Sequence, residues 1–409
     1  MNSLTTTKNN IFENQKKIFL IIFFLSVISR VITAYFFGDR TLQNEWLFLV
    51  SNLYNHDTFS LINFGDLYIP NLWMPPIYGY FIYLHALIFG LNENLASHVI
   101  VTQIFLSSLT PLIFYRLISN FFDKKLSGIG AIFFSLFPLI VYSPSQISSA
   151  TIYLFLLLTF IYQFINLSNQ KNIKLNIIIG LLAGILILTR RDFLLIYFFS
   201  IFYSLIFFKI DFKKLIFICL ISLITISPYL ARNYIIFEKL ILHSGFGYNV
   251  WKAYNPEAKV EGYYIQSEEL KKKIDKVEKN IFYRINEDKV YLDQAIEYIE
   301  ENPKRYISLF VKRLISFFFV DLESTQKNYY NFFHIVPNFL ISLISLFGLI
   351  VFPKKDKKYI YLMLVMFLLI FIYSLFALLP RYKVYIVPFQ LILTISFFDY
   401  LKNKLSKNY

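Results

Sequence analysis

The chain has 409 residues, of which 57% are hydrophobic and 16% are charged, and its net charge is +14. Soluble domains are typically about one quarter charged and slightly less than half apolar, so this composition argues against a soluble protein. The single cysteine, Cys219, excludes an intrachain disulfide, and the five histidines have no metal-ligand spacing.

Apolar runs of about 20 residues recur along the chain, each long enough to span roughly 30 Å of hydrocarbon as a helix. Short basic segments separate many of these runs, a pattern typical of cytoplasmic loops and not of a nucleic-acid-binding surface. These segments are 8–17, 123–125, 171–174, 209–214, 354–358 and 402–407. Placing them on the inside predicts ten spans with both termini inside: 17–37, 97–119, 127–143, 149–166, 174–189, 193–208, 213–231, 332–352, 359–379 and 382–401.

Two further apolar stretches, 77–89 and 305–320, do not fit as crossings, because a crossing at either would move a basic segment to the outside. They are predicted to be helices lying in the membrane interface. The predicted fold class is therefore an all-α membrane protein with about ten transmembrane helices and interfacial helices in two external loops. A polar helix is predicted from about 268 to 301, ended by Asn302-Pro303.

Three regions are predicted on this basis. Residues 1–231 form an N-terminal transmembrane catalytic module that includes a first external loop, 38–96. Residues 232–331 form an external loop region with interfacial helices, and residues 332–409 form the C-terminal transmembrane helices. The predicted location is the plasma (inner) membrane, with several crossings and with the chemistry on the periplasmic or external face.

Four arginines fall at the outer ends of predicted spans: Arg190, Arg191, Arg232 and Arg381. A guanidinium near membrane depth is costly without an anionic partner, and its planar fork fits a phosphate. The alternative is that each arginine caps its own helix or pairs with a nearby carboxylate such as Asp192. Four arginines on one membrane face favour a phosphate site.

Two acids, Asp39 and Glu45, follow the first predicted span. A carboxylate beside a phosphate pocket can act as general base toward an attacking hydroxyl. For Asp39, a solvated loop acid or a charge at a helix N-terminus is an equal alternative. Glu45 opens a segment with apolar residues at helical spacing, and Trp46 beside it offers an aromatic face to a sugar ring.

Several short motifs resemble the polytopic glycosyltransferases of the dolichyl-phosphate-mannose protein mannosyltransferase type and the bacterial lipid A aminoarabinose transferases, which share the GT-C architecture. They follow one another in order over about residues 30–390. The motifs are Asn44-Glu45-Trp46, Met74-Pro75-Pro76, Thr189-Arg190-Arg191-Asp192, residues 227–234 with 245–251, and Leu379-Pro380-Arg381-Tyr382.

This resemblance implies an inverting glycosyltransferase that moves a sugar from a polyprenyl phosphate to a hydroxyl of a glycan, lipid or protein, in the membrane and without nucleic acid. It implies Glu45 or Asp39 as base, the four arginines at the donor phosphate, and Trp46, Tyr382 and Asn233 at the substrate. An Asp-x-Asp motif is missing, so no metal and no cofactor are expected. The alternatives are a ligase or polymerase of lipid-linked oligosaccharide, and a transporter or flippase of lipid-linked sugars.

Overall fold

A computed structural model describes residues 3–167, 172–351 and 356–406. The first half of the chain forms α1 Ser3–Phe37, α2 Asn44–His56, β1 Ser60–Phe64, β2 Leu67–Pro70, α3 Pro76–Phe89, α4 Leu95–Ile118, α5 Lys124–Leu136, α6 Pro138–Tyr142, α7 Ala150–Ile165, α8 Ile173–Thr189 and α9 Phe193–Tyr203. The second half forms α10 Phe212–Phe237, α11 Phe246–Tyr254, α12 Glu268–Asp275, α13 Tyr283–Glu301, α14 Pro303–Phe318, α15 Phe332–Val351, α16 Lys357–Ser374 and α17 Val387–Leu405. Single turns cover Ser143–Ser145, Ser204–Phe208 and Pro380–Tyr385.

The chain is a multi-pass membrane protein with an almost entirely helical fold. Within the described ranges, five helices are long and apolar enough to cross a bilayer: α1 from Gln15, α4, α10, α15 and α16. A sixth candidate is α5 with its continuation to Ser145, which is bent by 55° where Pro138 follows Phe137. A helix lies at each of the ten predicted spans. The all-α membrane fold class is thus confirmed, while the count of ten crossings stays a prediction.

The predicted basic segments meet at one end of the helix bundle. Lys402 at the end of α17 pairs with Asp123 before α5, with 3.0 Å between Nζ and Oδ2. The Tyr203 hydroxyl at the end of α9 donates to the carbonyl oxygen of Lys357 at 2.7 Å. Of the predicted basic and span residues, those that lie outside the described residues are Lys171, Phe352, Lys354, Lys355 and Lys407.

Helices α8 and α10 pack closely through two glycines of α8. A Cβ at Gly180 would lie 2.6 Å from the Cβ of Ile221, and one at Gly184 would lie 2.5 Å from the Cβ of Thr225. Small residues four positions apart let two membrane helices approach with their backbones nearly in contact. This pair of glycines therefore fixes the distance between α8, which leads to Arg190, and α10.

We expect Gly184→Ala to destabilise the protein, because the added methyl group overlaps Thr225 and overpacking costs about 1–3 kcal/mol. Thermal unfolding in detergent measures the change as a lower Tm. Gly128→Ala is the matched control, since its Cβ would lie 3.8 Å from Ile18, an ordinary contact. Equal Tm values for the two variants would contradict this view of the helix pair.

A β-hairpin in the region 38–96 departs from the all-helical prediction. Strands β1 and β2 pair antiparallel, with Phe64 opposite Leu67. Gly65, at the first position of the two-residue turn, has φ +62°, a conformation that glycine adopts without steric cost. The sheet consists of these two strands among the described residues. The hairpin connects α2 to α3.

In the region 232–331, the predicted helix from 268 to 301 is split into α12 and α13, and it ends before Pro303 as predicted. Helix α14 covers the second predicted interfacial stretch and exposes apolar side chains at Ile307 and Ile315. Arg313, within this stretch, is fully buried and does not lie on the exposed apolar face. Its guanidinium points inward and donates to the carbonyl oxygen of Ala253 at 2.7 Å, which ties α14 to the end of α11.

Candidate active site

The predicted acids and three of the four arginines lie at the end of the bundle away from the basic segments. Asp39 follows α1, and its N–H donates to the carbonyl oxygen of Ser145 at 2.9 Å. Its carboxylate accepts a hydrogen bond of 2.7 Å from the N–H of Ile147. Gly38 permits this turn, because a Cβ there would lie 2.4 Å from the carbonyl oxygen of Ala34. The loop after α1 is therefore fixed against the segment between α6 and α7.

Two adjoining cavities open at this end of the bundle. The first has a volume of about 410 Å³ and the second about 190 Å³. Five residues line both cavities: Glu45, Trp46, Ile147, Ser148 and Arg381. Asp39 lines the first cavity only. The predicted residues that line only the second are Arg190, Arg191 and Tyr382.

The two acids differ in their surroundings. Burial raises the pKa of the Asp39 carboxyl above its ordinary value, and the hydrogen bond from Ile147 opposes that rise. Glu45 lies in the first turn of α2, where the helix dipole favours negative charge. Asp39 is thus held in one orientation with a pKa moved toward neutrality, while Glu45 lies where the two cavities meet.

Arg190 is held on all sides by protein groups. Its Nε lies 3.1 Å from the Asp192 carboxylate, and the Tyr373 hydroxyl donates to the same carboxylate at 2.7 Å. Four tyrosine rings surround the guanidinium, with centroids 4.9–5.6 Å from its central carbon: Tyr153, Tyr373, Tyr382 and Tyr385. This is the alternative that the sequence left open for Arg190, a pair with Asp192, although Arg190 also lines the second cavity.

Arg191 connects two segments beside the second cavity. Its guanidinium donates to the carbonyl oxygens of Ser244 at 2.8 Å and Gly245 at 3.3 Å, at the start of α11. Gly245 has φ +87°, and a Cβ there would lie 3.2 Å from the ring of Trp73. The turn between α8 and α9 is therefore bound to the beginning of α11. The Arg191 guanidinium has five N–H groups, more than these two hydrogen bonds use, and can also donate to a ligand in the second cavity.

Arg381 lies at the junction of the two cavities. Among the described residues no carboxylate forms an ion pair with it. Its guanidinium lies 5.6 Å from the ring centroid of Tyr382 and close to Tyr329. Because it lines both cavities, Arg381 places at their junction, which Glu45 also lines, a guanidinium that forms no ion pair among the described residues.

Arg232 and Asn233 lie away from both cavities. Arg232 donates to the carbonyl oxygen of Asn71 at 3.1 Å and to the amide oxygen of Asn233 at 2.7 Å. Asn233 in turn donates to the carbonyl oxygen of Ile241 at 2.6 Å. These contacts join α10 to two neighbouring segments. Neither residue lines a cavity, and their predicted roles at the donor phosphate and the substrate stay predictions.

Lys252 is a site residue that the sequence analysis missed. Burial lowers the pKa of its ammonium group, which lies close enough to Tyr382, Arg381 and Glu45 to interact with their charges. It is the basic residue of α11, directly after Trp251 in one of the motifs noted above. Its position next to that motif was the available signal. Lys252 adds a second cation near the junction of the cavities.

The segment after α14 forms one wall of the first cavity through Gln326, Lys327, Asn328 and Tyr329. Glu261 holds this segment from behind. Its carboxylate accepts hydrogen bonds from the Ser324 hydroxyl and from the N–H and hydroxyl of Thr325, the last two at 3.1 and 2.7 Å. Three hydrogen bonds to one carboxylate fix the two residues just before the cavity wall.

We expect Glu261→Ala to accelerate amide hydrogen exchange in residues 324–329 by about tenfold or more, because hydrogen bonds to a charged group contribute about 1.5–3 kcal/mol. Mass-spectrometric hydrogen exchange measures this directly. Glu257→Ala is the matched control, since Glu257 is exposed on the same segment and its carboxylate takes part in none of these bonds. Unchanged exchange in Glu261→Ala would show that the wall is held by other contacts.

Among the described residues, no group of three or more His, Cys, Asp or Glu side chains is placed to hold a metal ion. Arg381, which lines both cavities, and Lys252, which interacts with its charge, place positive charge near the junction.

A sequence model of the dolichyl-phosphate-mannose-protein mannosyltransferase family matches residues 74–231. No curated protein sequence matches the chain. Among solved structures, the oligosaccharyltransferase AglB from Archaeoglobus fulgidus, in complex with an inhibitory peptide and a dolichol-phosphate, matches with a TM-score of 0.54 and 13% identity. The match covers 95% of this chain and 50% of AglB, so the chain spans about half the length of that enzyme.

A second structure of the Archaeoglobus enzyme, tethered with an acceptor peptide, gives a TM-score of 0.56 at 14% identity over 95% of this chain and 50% of that one. ArnT from Cupriavidus metallidurans, in the apo state, gives a TM-score of 0.37 at 12% identity over 96% of this chain and 77% of ArnT. The family match covers α3 to α10, which include Arg190 and Arg191, whereas Asp39, Glu45 and Arg381 lie outside it. The resemblance is confirmed: the chain has the membrane-embedded helical fold of the GT-C glycosyltransferases, and residues 74–231 match the mannosyltransferase family.

Proposed function

We propose that the protein transfers a sugar from a polyprenyl-phosphate carrier to an acceptor hydroxyl, with inversion, at the external face of the plasma membrane. One observation carries this proposal: Asp39, Glu45 and Arg381, an arginine that forms no ion pair among the described residues, line two adjoining cavities at one end of an apolar helix bundle. A donor with a phosphate needs the cation, and an acceptor hydroxyl needs the base.

The second cavity suits the donor phosphate, because Arg191 and Arg381 line it and Lys252 lies beside Arg381. The phosphate of a lipid carrier lies at the membrane boundary. Arg191 follows the end of α8, Lys252 lies in the last turn of α11, and Arg381 lies in the turn before α17. The AglB structure, whose fold is similar, was solved with a dolichol-phosphate, which supports a lipid phosphate at such a site. Arg190, paired with Asp192, has the role of holding the wall of the cavity.

The first cavity suits the acceptor, with Asp39 as the general base. Asp39 is the stronger choice because burial raises its pKa toward the working pH and Ile147 fixes its orientation. The acceptor oxygen attacks the anomeric carbon as its proton passes to Asp39, and the bond from that carbon to the phosphate oxygen breaks. The polyprenyl phosphate leaves with the bonding electrons, stabilised by Arg381. Glu45, at the junction, faces the sugar that is transferred.

The orientation follows from the basic segments. Lys402, Lys124 and Lys214 lie at the opposite end of the bundle from Arg381, and Lys- and Arg-rich loops remain in the cytoplasm. The two cavities are then on the external side, within a catalytic module 1–231 that is completed by residues of 232–331 and 332–409. The proposed reaction uses no metal or cofactor, and Arg381 and Lys252 supply positive charge beside the leaving phosphate.

A second candidate function, ligase or polymerase of lipid-linked oligosaccharide, is favoured by the fold shared with AglB. The donor separates the two. Purified protein in liposomes is supplied with labelled polyprenyl-phosphate monosaccharides or with polyprenyl-pyrophosphate oligosaccharides, and a cell-envelope extract provides acceptors. We expect label to leave the lipid fraction only with the monophosphate donors. Transfer from the pyrophosphate donor alone would make the protein a ligase, and movement of the intact lipid across the bilayer without transfer would make it a flippase.

A further inference from the structure

We infer that the acceptor is an uncharged glycan whose terminal sugar enters the first cavity, and not a peptide hydroxyl. This inference rests on the proposed function and deepens it. The carrying observation is that side-chain carboxamides converge on the first cavity from three separate segments: Gln43 before α2, Gln146 before α7, and Gln326 with Asn328 after α14.

A carboxamide side chain carries two N–H donors and one carbonyl acceptor. A sugar ring presents neighbouring hydroxyls, each of which donates one hydrogen bond and accepts others. The two patterns match. The amide nitrogen of Gln146 already donates to the Phe37 carbonyl oxygen at 3.1 Å and to the Ser145 hydroxyl oxygen at 3.2 Å, and that of Gln43 donates to the Thr41 hydroxyl oxygen at 3.4 Å. These two residues therefore offer a sugar mainly their carbonyl oxygens. Thr41 and Ser148 add hydroxyls to the same lining.

Two aromatic side chains complete the match. Trp46, only 9% exposed, and Tyr329 line the first cavity on segments that are distant in sequence. The Trp46 ring is fixed edge-on against Tyr78 at 4.7 Å, and the Tyr329 ring against Tyr142 at 5.4 Å. Rigid aromatic faces give the apolar C–H side of a sugar a surface for packing at small entropic cost.

The size and the charge of the first cavity also favour a neutral sugar. A cavity of about 410 Å³ lies within the range of roughly 300–1,000 Å³ that is typical of small-ligand sites. Addition to a strand edge is one recurring mode of peptide recognition, and β1 and β2 do not line this cavity. The lining of the first cavity has two carboxylates, Asp39 and Glu45, and two cationic side chains, Lys327 and Arg381, so its formal charges cancel. A lining without net formal charge suits a neutral sugar.

Saturation-transfer NMR on the full protein in nanodiscs tests this without any donor. The probes are the methyl glycosides of glucose, galactose and N-acetylglucosamine, and an acetylated serine tripeptide amide. We expect saturation transfer to at least one glycoside and none to the peptide. Gln326→Ala and Asn328→Ala should each weaken glycoside binding by about fivefold, the loss expected for one neutral hydrogen bond. Asn94→Ala, an exposed asparagine before α4 and outside the cavity lining, is the matched control.

Glycoside signals that persist unchanged in both cavity variants, or a signal from the peptide alone, would overturn the inference. The liposome transfer experiment separates this failure from a failure of the proposed function. Sugar transfer onto a peptide without glycoside binding would leave the transferase proposal intact and refute the glycan acceptor. Glycoside binding that depends on Gln326 and Asn328, without turnover of any polyprenyl-phosphate sugar, would do the reverse.

Discussion

Asp39→Asn is expected to lower the rate of sugar transfer by about 10²–10⁴-fold, the range associated with the loss of a general base. Asparagine keeps an oxygen that can accept the hydrogen bond from Ile147, so the loop after α1 retains its position. What disappears is the ability to take a proton from the acceptor hydroxyl. Initial rates of label transfer in liposomes measure the loss. Asp66→Asn, at the exposed turn of the β-hairpin, is the control and should match the wild type.

The pH profile separates Asp39 from Glu45. A base is active only when ionised, so protonation of Asp39 removes activity as the pH falls through its pKa. Because burial raises this pKa, the acid limb of kcat/KM should lie above the value of about 3.9 that an ordinary aspartate gives. Glu45→Gln should reduce the rate and leave this limb in place. If Glu45→Gln removes the limb and Asp39→Asn does not, the assignments of the two acids are reversed.

The gathering of Asp39, Glu45 and Arg381 could be predicted from the sequence, because each follows or precedes an apolar run on the same predicted side of the membrane. The Lys and Arg content of the loops between apolar runs indicates which helix ends lie on the same side of the membrane. Loop charge does not determine the distances between residues on that side. The sequence therefore grouped Arg232 with the others, whereas its contacts with Asn71 and Asn233 depend on how α10 packs.

The surroundings of Arg190 show the same limit. Its neighbour Asp192 is visible in the sequence, but the tyrosines around it come from α7, α16 and the turn before α17, and no local pattern links these elements. Lys252 was missed because a single lysine in a short amphipathic helix resembles a solvated residue. The close approach of α8 and α10 was readable in principle, since Gly180 and Gly184 are four residues apart in an apolar run.

Arg381→Gln is expected to lower kcat by about 10²–10³-fold, the effect of removing one donor that stabilises charge in the transition state. It should also weaken binding of the free polyprenyl phosphate by about tenfold or more, as expected for a lost charge-assisted hydrogen bond. Arg381→Lys should recover part of this binding, because the charge remains while the two-pronged guanidinium geometry is lost. Arg40→Gln, at an exposed position near the same end of the bundle, is the control.

Arg190→Gln should behave differently from Arg381→Gln. Removing Arg190 leaves the Asp192 carboxylate without its cation inside a ring of tyrosines, so the principal result should be a lower Tm. Removing Arg381 leaves no carboxylate unpaired among the described residues, so the folded protein should remain stable while donor turnover fails. If Arg381→Gln lowers the Tm as much as Arg190→Gln and binds polyprenyl phosphate normally, then Arg381 is a structural residue, and the donor phosphate must be sought at Arg191 and Lys252.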